Sequence, residues 1–178
     1  MTKNSSIKQL CLTAVFIAFC VVLPMAFHSV GLGSTFAPMH IPVLMCGLVC
    51  GAGYGLVCGL VGPILSSVIT GMPGTAMLVS MVPELMAYGL ITGLLMGKVK
   101  TGKVLADLYI CLGAAMLLGR VVAGIAKALL YMGGEGYSLS LWISAHFVSA
   151  APGIICHLVV IPILISTLMR ARLLPKRY

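Results

Sequence analysis

Two cations stand in a stretch where apolar residues are the rule. Leu117–Tyr131, LLGRVVAGIAKALLY, places Arg120 and Lys127 in a run otherwise dominated by Leu, Val, Ile, Ala and Gly. A cation at the centre of a bilayer costs about 2.5–3.5 kcal/mol on insertion scales, so such residues face a bundle interior or a wet cavity. The two are seven residues apart, two helical turns, and therefore share one face of a helix. A cationic face of this kind suits a small, polar, anionic molecule.

The acids that could answer these cations are few: Glu84, Asp107 and Glu135. Glu84 lies nine residues into the apolar run that begins at Thr75, roughly 14 Å of helical rise. Arg120 lies sixteen residues beyond Val104, roughly 24 Å from the opposite end, so the two fall at similar depth. A buried Glu84–Arg120 pair that only orders helix packing is the structural alternative to a binding site. Asp107, four residues from Lys103, belongs to the rim. Lys127 thus has no second intramembrane acid, and a ligand carboxylate or phosphate would neutralise it. Its structural alternative is snorkelling to the interface.

Other polar and aromatic side chains gather around these positions. His40 starts an apolar segment beside Met39 and Pro42, and Tyr88 is one turn from Glu84. His146 and Ser149 are three apart and share a helical face. Trp142 and Tyr137 suit the interface as anchors, and Trp142 is also placed to close over a ligand. His157, deeper in an apolar run, reads as a packing residue. No Ser/His/Asp ordering, HExxH motif or paired intramembrane aspartates occurs, so hydrolytic chemistry has no anchor. Twelve Met, seven Cys and four His raise the question of a soft metal, and Cys46 and Cys50 are one turn apart. The Met residues are scattered, however, with no CxxC or HxxxH pattern, so no metal site is expected.

The elements that must position these residues are membrane helices. Of the 178 residues, 61% are hydrophobic and only 8% charged, against about 25% charged in a soluble domain, and the mean hydropathy is +1.17. The net charge of +8 is concentrated at segment ends: Lys3 and Lys8, then Lys98, Lys100 and Lys103, then Arg170, Arg172, Lys176 and Arg177. That is a topology signal, not a nucleic-acid stripe. The seven cysteines lie in apolar runs, where Cys behaves as a small hydrophobe. The basic-then-apolar N-terminus lacks a clear cleavage site and reads as a first helix.

In order, Gln9–Phe27 is long enough to span. His28–Pro38 is a turn-rich linker. Met39–Gly71 is long for one span and tight for two; a hairpin bent near Ala52–Tyr54 keeps all basic clusters on the cytoplasmic side. Within it GLVCG occurs at 47–51 and again at 55–59, setting Gly47, Gly51, Gly55 and Gly59 four apart. Such spacing lets helix backbones approach closely. Gly71–Gly74 is a tight turn, Thr75–Gly97 a fourth span, and Val104–Tyr131 a fifth. Leu141–Met169 is a sixth, interrupted at Pro152-Gly153 and Pro162. The expectation is an all-α integral membrane protein, residues 1–178 forming a single six-helix domain with both termini cytoplasmic. Its loops are too short for a nucleotide-binding domain.

A basic-ended, six-helix chain of this size resembles the S components of energy-coupling factor (ECF) transporters, the substrate-capturing subunits for vitamins. The resemblance rests on AVFIA at 14–18, PMHIPVLMCGLVCG at 38–51, GMP at 71–73, ELMAYG at 84–89, LGRVVAG at 118–124 and APGII at 151–155. It implies a non-enzymatic subunit of the bacterial plasma membrane. Its partners would be a transmembrane T component and two ATPases, which use the ATP; the chain itself would carry no cofactor. Ala14 and Ala18, matching the family's Ala-x-x-x-Ala pattern, would contact the T component. The family's ligand site near the outer face maps by depth onto His40, Glu84, Tyr88, Arg120, Lys127, His146 and Ser149. Arg120 with Lys127 would hold an anionic group, Glu84, Tyr88 and His40 would bond hydroxyl or amide groups, and Met39 and Trp142 would supply apolar wall. The surplus cation favours an acid, and the motifs look most like the pantothenate type, with cobalamin, pyridoxine or queuosine-type ligands as alternatives.

Overall fold

A computed structural model describes residues 3–29, 31, 36–130, 144 and 150–174. Among the described residues the regular elements are α-helices: α1 Lys3–Ser29, α2 His40–Cys50, α3 Ala52–Thr70, α4 Thr75–Lys98, α5 Val104–Leu130 and α6 Ala151–Arg170. In hydrocarbon every backbone N–H and C=O must be satisfied within the segment, which for apolar runs of this length means a helix. Five of the six are long and apolar enough to cross a bilayer.

The exception is one arm of the hairpin in the segment that is tight for two spans, so among the described residues five helices, and not six, have spanning length. α2 has 11 residues, roughly 16 Å of rise, about half of a 30 Å hydrocarbon core. All of its residues except Val49 are buried, enclosed by neighbouring helices. The hairpin itself is present, and its bend falls at Gly51, which takes φ 97°, a conformation open to glycine without penalty. In α6, Pro162 lies inside a continuous helix and does not interrupt it, while Pro152 lies in the first turn; the expected part of this span before it, from Leu141, lies largely outside the described residues.

Glycine holds α2, α3 and α4 together. A Cβ added to Gly47 would strike Thr92 and the Gly89 carbonyl, and one added to Gly55 would strike the Gly89 carbonyl. Gly59 abuts the backbone of Leu85, and Gly93 that of Gly51 and Ala52. These contacts align α2 with the lower half of α4, so that the first turn of α2 lies level with the middle of α4. Buried Cys20, Cys46, Cys50 and Cys58 fill the seams with α1 as free thiols. The α3–α4 turn is pinned from the α3 side: Ser66 Oγ donates to the Met72 carbonyl and Ser67 Oγ to the Pro73 carbonyl, both at 2.8 Å. At the other end of α4, buried Asp107 accepts from the Thr101 backbone N–H at 2.9 Å and from its hydroxyl at 2.7 Å. That fixes the turn into α5.

Candidate functional site

The first turn of α2 sets the geometry of the site. The Ala37 carbonyl, which can only accept, lies 3.1 Å from His40 Nδ1, so Nδ1 carries the proton and Nε2 turns towards α4. There it stands 3.8 Å from Glu84 Oε1, a pairing that becomes ionic when the ring is doubly protonated. Tyr88, one turn further along α4, donates its hydroxyl to the same carboxylate oxygen at 2.6 Å. Glu84 is 8% exposed and faces the N-terminal end of α2, where the helix dipole favours a negative charge. A phenol, an imidazole and a helix terminus together hold this acid in place.

The rings beneath Glu84 are packed in order. His40 tilts on Tyr88 with centroids 5.4 Å apart and stacks almost parallel on His157 of α6, at 5.6 Å and 15°. Tyr88, with no exposed surface, lies on Gly119 of α5, where an added Cβ would fall on the ring. Arg120, the next residue, is 6% exposed.

Beside the first turn of α2 is a cavity of about 460 Å³. Its floor is His40 and Glu84; its walls include Met39, Met72, Met77 and Met81; Lys127 and His28 also open onto it. His28, at the end of α1, is exposed and marks the mouth. Measured from the turn that joins α4 and α5, Lys127 lies 23 residues beyond Val104, roughly 34 Å of rise, whereas Glu84 lies 14 residues before Lys98, roughly 21 Å. Among the described residues no group of three His, Cys, Asp or Glu is arranged to hold a metal ion.

The structure thus brings together Met39, His40, Glu84 and Lys127 at the cavity, with Tyr88 directly behind Glu84. Arg120 is not among the side chains that line it. Trp142, His146 and Ser149 lie outside the described residues. Ala14 and Ala18 are exposed on α1. Sequence reasoning missed His28, Met72, Met77, Ser80 and Met81 as cavity residues, and the stack of His157 on His40. A signal for part of this was present: Met77, Met81, Glu84 and Tyr88 recur at the three- and four-residue spacing of one helical face.

Residues 8–165 match the family described as "ECF transporter, substrate-specific component". The chain belongs to this family. No curated protein and no solved structure matches it. It is a multi-pass plasma-membrane protein, from a family of transporter substrate-binding subunits and not of enzymes. Members of this ECF family work with a T component and ATPases.

Proposed function

We propose that this chain captures a small anionic vitamin, with pantothenate favoured, in the cavity above α2, and delivers it through a T component and two ATPases. The observation that carries this reading is the shared cavity: Lys127 and Glu84, placed at different depths, both open onto a methionine wall. The volume lies within the range of small-molecule sites. Pantothenate has a carboxylate for Lys127, hydroxyl and amide groups for Glu84 and His40, and geminal methyl groups for the thioethers. Trp142, His146 and Ser149 would complete the site from the segment before α6.

The remainder of the proposal concerns the partners. The chain reverses direction at each connection if the half-crossing of α2 counts as a descent, and both termini then lie with the Lys98–Lys103 loop on the cytoplasmic side. Exposed Ala14 and Ala18 would meet the T component, since small residues let helices approach closely. ATP would be used by the partner ATPases alone, and the chain would fold as a single domain with no cofactor of its own. Mass spectrometry of small molecules released from gently purified protein tests the reading. A stoichiometric carboxylic acid is expected. Protein that is empty, folded and unable to bind any vitamin in a panel containing pantothenate would overturn it, leaving a structural membrane protein whose buried charges order the bundle.

A further inference from the structure

The two intramembrane cations share a helical face, yet their surroundings differ. They are separated by seven residues, roughly 10 Å along the axis of α5. The upper one, Lys127, opens onto the cavity. The lower one, Arg120, is buried, and its chain neighbour Gly119 carries the Tyr88 ring. The cavity's own acid, Glu84, is held from behind by Tyr88. We infer that the cavity reads its ligand at two depths: Lys127 takes an anionic group, Glu84 at the floor takes a hydroxyl, amino or N–H donor, and Arg120 positions the floor without touching the anion.

This division follows from where charge can be satisfied. A carboxylate that accepts from Tyr88 and faces His40 is an acceptor, and an anionic group brought to that floor would meet like charge. The same group at the mouth meets an ammonium. Between the two depths, the thioethers of Met39, Met72, Met77 and Met81 supply a polarizable wall that adapts to shape. The site therefore selects bifunctional molecules: an acid at one end, a hydrogen-bond donor at the other, and an apolar waist. Arg120 fits the role of a positioning residue because it is buried next to Gly119, on which the Tyr88 ring rests, and is not among the side chains that line the cavity.

The inference rests on the proposed capture of a small acid, and a matched pair of probes separates the two. Pantothenate and panthenol differ only in that the second has an alcohol where the first has a carboxylate. Binding of both to the purified full chain would be measured by calorimetry for wild type, Lys127→Met, Arg120→Met and Glu84→Gln. Wild type is expected to prefer pantothenate by about 10- to 100-fold, the worth of a hydrogen bond to a charged group. Lys127→Met should collapse that ratio towards one while leaving panthenol binding within about 3-fold, a change smaller than one neutral hydrogen bond is worth. Arg120→Met and Glu84→Gln should weaken both probes by similar factors and preserve the ratio, a readout that loss of fold alone would not produce; Arg120→Lys should recover much of the loss.

Collapse of the ratio in Arg120→Met with retention in Lys127→Met would overturn the assignment. So would a wild-type protein that binds the two probes equally, although its role as a capture subunit would then stand. Binding of neither probe would overturn both the two-depth assignment for this ligand pair and the favoured vitamin.

Discussion

Gly89→Ala places a single methyl group where α4 crosses α3. The added carbon would land on the carbonyl of Gly55, and a carbon added to Gly55 would land on the carbonyl of Gly89. Both obstacles are main chain, so no rotamer change relieves them and the helices must separate. Overpacking of this kind costs about 1–3 kcal/mol, and a backbone obstacle points to the upper part of that range. Alanine also regains up to about 1 kcal/mol of helix propensity over glycine, which offsets only part of the loss. Gly97, eight residues along the same helix, has open space around it. Gly97→Ala is therefore the matched control, expected to be neutral or stabilising by up to about 1 kcal/mol. Unfolding midpoints of the two variants in one detergent should move in opposite directions. Equal shifts of the same sign would refute the close crossing, because the two substitutions share their chemistry and their helix. Glu84 lies five residues above Gly89, so Gly89→Ala should also weaken ligand binding while Gly97→Ala leaves it alone.

Tyr88→Phe removes the hydroxyl that donates to Glu84 at 2.6 Å, a bond of the kind worth about 1.5–3 kcal/mol when one partner is charged. Circular dichroism should show unchanged helix content, with a lower unfolding midpoint and weaker pantothenate binding; a variant equal to wild type in both would refute the role of the phenol. Asp107→Asn weakens the two bonds from Thr101 and should destabilise the protein by about 1–2 kcal/mol without altering the preference for pantothenate over panthenol, as thermal unfolding and calorimetry would report. Ala14→Leu and Ala18→Leu enlarge exposed positions on α1 and should leave ligand binding intact while reducing co-purification of a T component. Undiminished co-purification would place that contact elsewhere.

Much of the helical frame was legible because apolar length and punctuation coincide. Thr75 and Val104 begin α4 and α5 as expected, and the Gly71–Gly74 turn separates α3 from α4. A segment tight for two spans was legible, but which arm of its hairpin is the short one was not. The sequence of α2, HIPVLMCGLVC, is as apolar as that of a spanning helix, and only its alignment with the middle of α4 shows that it starts at half depth. The GLVCG echo was read correctly as packing, but Gly51 serves the bend while Gly47, Gly55 and Gly59 serve the contact with α4. Shared face alone also proved a coarse guide: Arg120 and Lys127 obey it, yet a vertical offset of two turns puts one behind the floor and the other at the cavity. Of the methionine wall only Met39 was foreseen, because Met72, Met77 and Met81 come from other segments and converge on it only in three dimensions.

With 11 residues α2 falls roughly 14 Å short of a normal crossing, and described residues of α1, α4 and α5 line a cavity beside its first turn. An occupant held there would add contacts to the bundle. Capture and folding are then one thermodynamic quantity. A ligand present at a hundredfold excess over its dissociation constant adds about 2.7 kcal/mol to the stability of the folded state. With the proposed ligand absent, the subunit would be the weaker bundle.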